Sequence, residues 1–268
     1  MTDAVLESIR SDEDRTAAAA RALELHSGWY HTLELAPGVV TPGLADLRPI
    51  LARALPDDLA GQRCLDVGTF DGLFAFAMEE RGAADVVGVD VADPAELDHP
   101  PLRRAHNLQT VSDTGVLPGS GFRAAAAARR SNAQWVACNI YDLAPERVGG
   151  LVDFAVVSTI LQHLRNPVGG LERVRETLRP GGEAVVIETI SEPLTKKHKH
   201  EPVLEFRAAT EGSNYTWMVP NLVGLRHWVL AALFELAAEP WIYRLPPSPL
   251  VGKGGSLAVL RVRRPAEG

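Results

Sequence analysis

The residues best suited to chemistry lie in a short turn that follows an apolar run. Asp66 precedes Gly68, Gly72 follows four residues later, and Asp90 ends the next apolar run at residues 86–89. Glycine in such a turn lets a ligand approach the backbone, because no side chain stands in its way. An acid at the tip of the second strand can accept both hydroxyls of a ribose. The spacing therefore predicts a nucleoside across the ends of two neighbouring strands.

The turn lacks the G-x-G-x-x-G pattern of dinucleotide-binding folds and has the spacing D-x-G-x-x-x-G instead. That spacing resembles the first motif of class I S-adenosylmethionine-dependent methyltransferases, D/E-x-G-x-G-x-G, with Phe70 in place of the middle glycine. Taken alone, an ordinary strand-to-helix turn is the alternative. The resemblance implies S-adenosylmethionine as cofactor. The implied contacts come from Asp66, Gly68, Thr69, Phe70, Asp71 and Gly72 in the loop, with Asp90 at the ribose.

Three further segments resemble the same enzymes in the same order: residues 138–143, 158–167 and 178–182. In the family, the first of these holds the adenine. Asn139 stands where an acid usually accepts the adenine amino group, the Ile140 backbone would meet the ring, and Asp142 is the alternative acceptor. The second segment lines the methyl end of the cofactor, which places Ser158 and Thr159 there.

A narrower resemblance covers residues 29–43 and 214–228. Both segments are similar to the wobble-uridine tRNA methyltransferase family, which transfers a carboxymethyl group from carboxy-S-adenosylmethionine. Those enzymes have a basic N-terminal domain and a lysine for the extra carboxylate. This chain has no lysine before Lys196, and the nearest basic candidate is Arg48. A small-molecule methyl acceptor is therefore the favoured expectation, with tRNA as the alternative.

Three residues are candidates for catalysis. His163 follows the fourth strand, and its ordinary pKa would let it take a proton from the acceptor, unless it only shapes the pocket. Glu188 is a charge in an apolar strand, so it should meet a partner or the site. His31, with Trp29 and Tyr30, could cap the cleft or simply pack. Alignment of the acceptor with the sulfonium carbon can also suffice without a base.

Alternating apolar strands and helices predict the elements that must position these residues. The fold class expected is α/β, a doubly wound, mostly parallel seven-stranded sheet. A helical extension is expected over 1–60, the S-adenosylmethionine-binding domain over 61–268, and a lid over 92–121. The predicted strands are 64–67, 85–91, 135–138, 152–157, 183–190, 241–243 and 257–262. The predicted helices are 4–27, 44–55, 73–81, 122–130, 168–179 and 222–236.

Composition sets limits on the function of this 268-residue chain. A net charge of −7 argues against a protein that coats nucleic acid by charge alone. Cys64 and Cys138 lie in apolar runs, which predicts buried thiols and no metal site. The polar, acidic N-terminus is unlike a signal peptide, and no apolar run approaches the roughly 20 residues of a membrane span. These features predict a cytoplasmic protein, with the oligomeric state left open.

The leading hypothesis is therefore an S-adenosylmethionine-dependent methyltransferase that acts on a small molecule, most simply at oxygen. Transfer of a carboxymethyl group to tRNA is the second hypothesis. The basic run 196–200 would then touch RNA, whereas it otherwise forms a solvated loop. A non-catalytic nucleotide-binding module is the third, because Phe70 and Asn139 depart from the family pattern.

Overall fold

The computed structural model describes residues 3–10, 14–114, 117–209, 215–247 and 254–266. The helices are α1 (Asp3–Arg10), α2 (Arg15–Leu25), α3 (Arg48–Ala54), α4 (Leu73–Glu79), α5 (Arg104–Thr114), α6 (Ser120–Arg129), α7 (Pro167–Thr177), α8 (Glu192–Lys197) and α9 (Leu222–Ala231). The strands are β1 (Glu34–Ala36), β2 (Val39–Val40), β3 (Arg63–Val67), β4 (Asp85–Asp90), β5 (Gln134–Ala137), β6 (Val152–Ser158), β7 (Leu178–Ile190), β8 (Leu204–Phe206), β9 (Met218–Pro220), β10 (Glu235–Leu236), β11 (Trp241–Leu245) and β12 (Gly255–Arg263).

The central sheet runs β5-β4-β3-β6-β7-β12, and both β10 and β11 pair with β12. The strands from β5 to β7 are parallel, while β12 pairs antiparallel with β7, β10 and β11. The chain moves outward from β3 through β4 to β5 and then returns to β6 on the other side of β3. That reversal is the switch point at which such sheets bind ligands. The predicted doubly wound, mostly parallel α/β sheet is confirmed, but within the described residues it has eight strands rather than seven, because β10 adds to its edge.

Side chains alternate between two apolar clusters, one on each face of the sheet. Cys64 lies in one cluster and Leu65 in the other, and the remaining central strands divide in the same way. The N-terminal helices α1 and α2 pack on α6 in the first cluster, where small alanines allow close approach. Cys64 and Cys138 are buried free thiols, as predicted. Within the described residues, no helix is long and apolar enough to cross a membrane.

Two predicted helices near the N-terminus are wrong in extent. The predicted helix over 4–27 is two helices, and α2 begins after Asp14, whose carboxylate accepts the Thr16 amide at 2.9 Å. The predicted helix over 44–55 shrinks to α3, because Ala45 instead pairs with an earlier segment. The Ala45 amide donates to the Tyr30 carbonyl, and the Ala45 carbonyl accepts the Thr32 amide. Pairing across the fold thus overrides the local helical pattern.

Several predicted boundaries later in the chain also differ from those in the structure. The helix predicted over 168–179 ends at Thr177, because Leu178 already pairs with Val152 and β7 continues through the Pro-Gly-Gly turn. The helix predicted over 222–236 ends at Ala231, and β10 follows because it pairs with the end of β12. The predicted lid over 92–121 contains helix α5, so its described part is only partly irregular. The predicted C-terminal strands form a hairpin through β11 and β12.

Candidate functional site

The loop after β3 and the segment after β6 meet at the carboxyl edge of the sheet. Gly68 has a φ of +72°, and a Cβ there would lie 3.0 Å from Cδ1 of Ile160. Gly72, with a φ of +90°, begins α4, and a Cβ there would lie 2.5 Å from the Phe76 ring. Glycine is required at both positions because backbone conformation and space exclude a side chain. The two glycines of the predicted motif therefore let the loop turn tightly between β3 and α4.

The buried side chains of Asp66 and Thr69 stabilise this loop by hydrogen bonds. Both side chains are buried, and the Asp66 carboxylate accepts the Thr69 hydroxyl at 2.7 Å and the Ala75 amide at 3.1 Å. Burial raises the pKa of Asp66 to about 7. These bonds tie the two ends of the loop together. The predicted direct contact of either residue with a cofactor remains a prediction, since both polar groups already face partners inside the protein.

Asp71 joins the loop to the N-terminal segment. Its buried carboxylate accepts the amide of Tyr30 at 2.6 Å and that of His31 at 2.8 Å. Burial is the main cause that raises the pKa of Asp71 to about 7. The carboxylate thus holds a segment forty residues earlier against the cofactor loop. The predicted cofactor contact of Asp71 remains a prediction, whereas its place beside the N-terminal segment was not foreseen.

Asp90 and the loop lie together, as the sequence predicts for a ribose site. One carboxylate oxygen of Asp90 accepts the Phe70 amide at 3.1 Å, and the other accepts the Val91 amide at 2.8 Å. The amides of Gly68 and Thr69 both donate to the carbonyl of the residue before Asp90. Burial raises the pKa of Asp90 to about 6. The remaining lone pairs of this half-buried carboxylate are suited to the hydroxyls of a ribose.

The loop after β5 has a different construction. The Asn139 side chain donates from Nδ2 to the Glu96 carbonyl at 2.9 Å and accepts the Tyr141 amide at Oδ1, 3.1 Å away. Ile140 is buried and Asp142 is exposed. A cavity of about 360 Å³ lies at the ends of β4 and β5, where adenine is predicted. It is lined by Ala92, Glu96, Ala137, Cys138, Asn139, Asp142 and Arg147.

The end of β6 presents a polar group that is suited to a ligand. Ser158 is buried, and among the described residues its Oγ has no hydrogen-bond partner. Thr159 adopts a φ of +52°, and its amide donates to the Ile187 carbonyl at 2.7 Å. A buried hydroxyl without a partner costs free energy unless a ligand or water meets it. Together with the glycine loop and Asp90, this edge fits the polar groups of S-adenosylmethionine.

Glu188 meets backbone amides rather than a charged partner. Its Oε2 accepts the Leu161 amide at 2.6 Å and the Gln162 amide at 3.3 Å, and its Oε1 accepts the Thr189 amide at 2.7 Å. The side chain is fully buried, and burial raises its pKa to about 7. Glu188 therefore fixes the segment after β6, and its predicted catalytic role remains a prediction.

His163 is held in one tautomer. Its Nδ1 lies 2.9 Å from the Tyr215 carbonyl, which can only accept, so Nδ1 carries the proton and Nε2 is left as an acceptor. Burial lowers the pKa of His163, which favours the neutral ring. A neutral imidazole with an available Nε2 is the form required of a general base. Asn214, in the same predicted segment as Tyr215, lies outside the described residues.

The N-terminal aromatic residues adjoin the loop after β3. The Tyr30 ring is 4.9 Å from the Phe70 ring, and its hydroxyl interacts with the Thr159 side chain. His31 is buried, its Nδ1 has no partner among the described residues, and burial lowers its pKa to about 3. Trp29 is buried against His26. Of the three, Tyr30 alone contacts both loops, and no sequence pattern distinguishes it from its neighbours.

Asp98 is a site residue that the sequence analysis missed. Its carboxylate accepts the Tyr141 hydroxyl at 2.9 Å and the Arg165 amide at 2.6 Å, and its carbonyl accepts Nε1 of Trp217. The predicted lid is therefore joined to the loops after β5 and β6 and to the strand β9 region. In the sequence, Asp98 is only an acid within a stretch rich in proline and histidine. Such a stretch does not indicate contacts with residues so distant in the chain.

Comparison with known proteins finds curated relatives, solved structures and a family model that this chain resembles. Two curated tRNA U34 carboxymethyltransferases match: one from Idiomarina loihiensis is 30% identical over 50% of this chain, and one from Ectopseudomonas mendocina is 26% identical over 66%. The chain spans 34% and 46% of their respective lengths.

Among solved structures, the 1,6-didemethyltoxoflavin-N1-methyltransferase of Burkholderia thailandensis, with S-adenosylhomocysteine bound, has a TM-score of 0.51. It is 19% identical, and the match covers 83% of this chain and 79% of that one. At this identity the likeness concerns the fold. A family model described as "Methyltransferase domain" matches residues 43–238, more than half of the chain. The chain thus belongs to this methyltransferase family, and S-adenosylmethionine is its cofactor.

Proposed function

We propose that the chain is a cytoplasmic enzyme that transfers a methyl group from S-adenosylmethionine to a hydroxyl of a small-molecule acceptor. The observation that carries this proposal is the His163 imidazole, neutral and with Nε2 as its unprotonated nitrogen, in the segment that follows β6. S-adenosylmethionine, when bound, supplies a methyl group on an already activated sulfonium. The loops after β3 and β6 hold and orient the two reactants.

In this proposal the proton follows a defined route. Nε2 of His163 would take the proton of the acceptor hydroxyl as that oxygen gains the methyl group and the sulfur–methyl bond of the donor breaks, which would leave S-adenosylhomocysteine. Nδ1 would keep its hydrogen bond to the Tyr215 carbonyl. That bond orients the ring and favours the imidazolium that forms. We assign this role to His163 rather than to His31, because the Tyr215 hydrogen bond fixes the His163 ring with Nε2 as the acceptor, whereas Nδ1 of the buried His31 ring has no partner among the described residues. Glu188 acts by fixing the backbone that leads into His163.

The charges near the site favour a small molecule over tRNA. Lys196 pairs with Glu192 at 2.8 Å, and His198 lies 2.9 Å from Glu201, so this basic run is partly neutralised. Arg48, the nearest basic candidate for an extra carboxylate, pairs with Asp46 at 2.7 Å on the surface. Much of the affinity of a protein for RNA comes from lysine and arginine side chains that neutralise phosphates and so release the counterions bound to them. Because these cations are already paired, they are less available to bind RNA phosphates, which supports a small-molecule acceptor.

Carboxymethyl transfer to tRNA is a second candidate, favoured by the two curated relatives and by the aromatic segment around Tyr30. The two candidates differ in the donor and in the acceptor. Mass spectrometry of the nucleoside that co-purifies with the chain distinguishes S-adenosylmethionine from its carboxy derivative. Recovery of the carboxy derivative, together with modified tRNA, would overturn the small-molecule proposal.

The acceptor is tested by methyl transfer from radiolabelled S-adenosylmethionine into a cell extract that has been separated into small molecules and tRNA. We expect label in the small-molecule fraction. His163→Gln should slow this transfer by roughly 100-fold or more, because glutamine cannot take the proton. The matched control is His198→Gln, an imidazole in an ion pair at the surface. Equal rates for both variants would show that His163 does not act as the base.

A further inference from the structure

Two aromatic rings from distant parts of the chain form a wall beside the loop after β3. The Tyr30 and Phe70 ring centroids lie 4.9 Å apart with the planes tilted by 47°. The Tyr30 backbone is fixed because its amide donates to Asp71 and its carbonyl accepts the Ala45 amide. We call Tyr30 and Phe70 the aromatic pair. Its position is therefore set by the same loop that receives the cofactor.

Phe70 is unusual for its place. It adopts a φ of +48°, a conformation that favours glycine, and its side chain is 45% exposed. A bulky residue held in such a conformation costs on the order of 1 to 3 kcal/mol, and exposing the ring gains nothing in the absence of a ligand. The ring packs on Tyr30 and leaves part of its surface open. That open surface is available to a bound molecule.

The surroundings of the aromatic pair are electronegative. The Phe70 amide donates to the Asp90 carboxylate at 3.1 Å. The charges of Glu188 and Asp71 both act on the Tyr30 phenol, and together with burial they raise its pKa to about 12. His31, the neighbouring ring, is neutral because burial lowers its pKa to about 3. Carboxylates and aromatic faces thus lie together, and no positive charge from His31 opposes a cation.

From this placement we propose that the aromatic pair recognises the positive charge of the methyl donor, so that the site binds S-adenosylmethionine more tightly than S-adenosylhomocysteine. The two molecules differ only by the methyl group and the charge that it places on sulfur. An aromatic face attracts a cation more strongly than it attracts a neutral thioether, whose sulfur makes only a weaker contact with the ring. The pair would act as a specificity determinant that favours donor over product. This inference rests on the cofactor and is independent of which acceptor is methylated.

The experiment measures the dissociation constants of S-adenosylmethionine and S-adenosylhomocysteine by isothermal titration calorimetry, without any acceptor. The readout is the ratio of the two constants. We expect Phe70→Leu and Tyr30→Leu each to reduce the preference for S-adenosylmethionine by roughly 3- to 20-fold. Affinity for S-adenosylhomocysteine should change by less. Tyr30→Phe keeps the ring and should keep the preference.

Two controls separate charge recognition from packing. Tyr243→Leu removes a half-buried aromatic ring on β11 and should leave the ratio unchanged. Pentafluorination of the Phe70 ring preserves its shape and reverses the sign of its face, so it should lower the preference as Phe70→Leu does, in a protein that still folds. If Phe70→Leu and the fluorinated ring weaken both ligands by the same factor, or leave the ratio unchanged, the pair does not recognise charge.

Discussion

The loop after β3 and the loop after β5 lie along one edge of the same sheet, yet their polar side chains lie in different environments. At the first, Asp66 and Asp71 are buried, and burial raises the pKa of each to about 7. At the second, Asp142 is exposed, and the Asn139 side chain has both its donor and its acceptor engaged by backbone groups. Buried acids are thus concentrated at the β3 end of the cofactor cleft, whereas the acids at the β5 end, Glu96 and Asp142, are exposed and line a cavity.

This difference indicates where binding free energy for the cofactor comes from. A buried carboxylate is costly unless donors or a positive charge compensate it, so the β3 end gains most when a polar or cationic ligand arrives. The β5 end offers a cavity in which the Asn139 side chain is already engaged by backbone groups, so we expect it to contribute mainly shape and apolar contact. We therefore expect substitutions at the two ends to have unequal effects on cofactor affinity.

The largest effect is expected from Asp90→Ala. The substitution removes the carboxylate that the ribose hydroxyls would use, and hydrogen bonds to a charged group contribute about 1.5–3 kcal/mol each. The dissociation constant of S-adenosylhomocysteine, measured by calorimetry, should rise roughly 10- to 100-fold. The control is Asp142→Ala, which removes an exposed acid from the other end of the cleft. A comparable loss in both variants would contradict the contrast between the two ends.

The sheet and the glycine loop could be predicted from the sequence because their signals are local. Apolar runs of four to seven residues, separated by helices, specify parallel strands whose ends meet at one edge. The spacing of Gly68, Gly72 and Asp90 then places a turn and an acid at neighbouring strand ends, and the Phe70 amide bonded to Asp90 confirms that placement. Such features depend on residues close together in the chain or on simple strand order.

The aromatic pair and Asp98 could not be predicted in the same way, because their partners are distant in the chain. Tyr30 and Asp71 are separated by 41 positions, and Asp98 and Arg165 by 67. No periodicity links such residues, and a single acid or tyrosine in a loop has no distinct local pattern. The predicted helix over 44–55 failed for the same physical reason, since Ala45 bonds to a segment fifteen residues earlier.

An intermediate effect is expected from pH, and it sharpens the contrast because the shifted acids belong to the β3 end. Burial raises the pKa of Asp90 to about 6 and of Asp66 to about 7, so these two carboxyl groups bind more protons in the folded chain without ligand than in the unfolded chain between about pH 4 and 7. Their contribution to the free energy of unfolding should therefore fall as pH rises through that range. Urea unfolding of the chain and of Asp90→Asn at pH 5 and pH 7.5 separates this contribution from that of the buried histidines, whose pKa values burial lowers.

Cofactor binding should show the opposite trend. A cation beside these groups favours their ionised forms, so S-adenosylmethionine binding releases protons and tightens as pH rises through 6 to 7, by up to about tenfold per unit for each proton released. S-adenosylhomocysteine, which lacks the sulfonium charge, should respond less steeply. Calorimetry of both ligands between pH 5.5 and 7.5 makes the comparison, and parallel slopes would mean that these carboxyl groups do not sense the sulfonium.

The smallest effect is expected from Asn139→Ala. The Asn139 side chain forms hydrogen bonds with the Glu96 carbonyl and the Tyr141 amide. We therefore expect the substitution to disturb the geometry of the loop rather than to remove a contact with adenine. Affinity for S-adenosylhomocysteine should fall by no more than about fivefold, the equivalent of one ordinary hydrogen bond. Asn139→Asp restores the acid that the family usually carries and loses the donor to Glu96. Tighter binding by that variant would show that the adenine amino group does reach position 139, whereas unchanged or weaker binding leaves the cavity and its backbone as the adenine site.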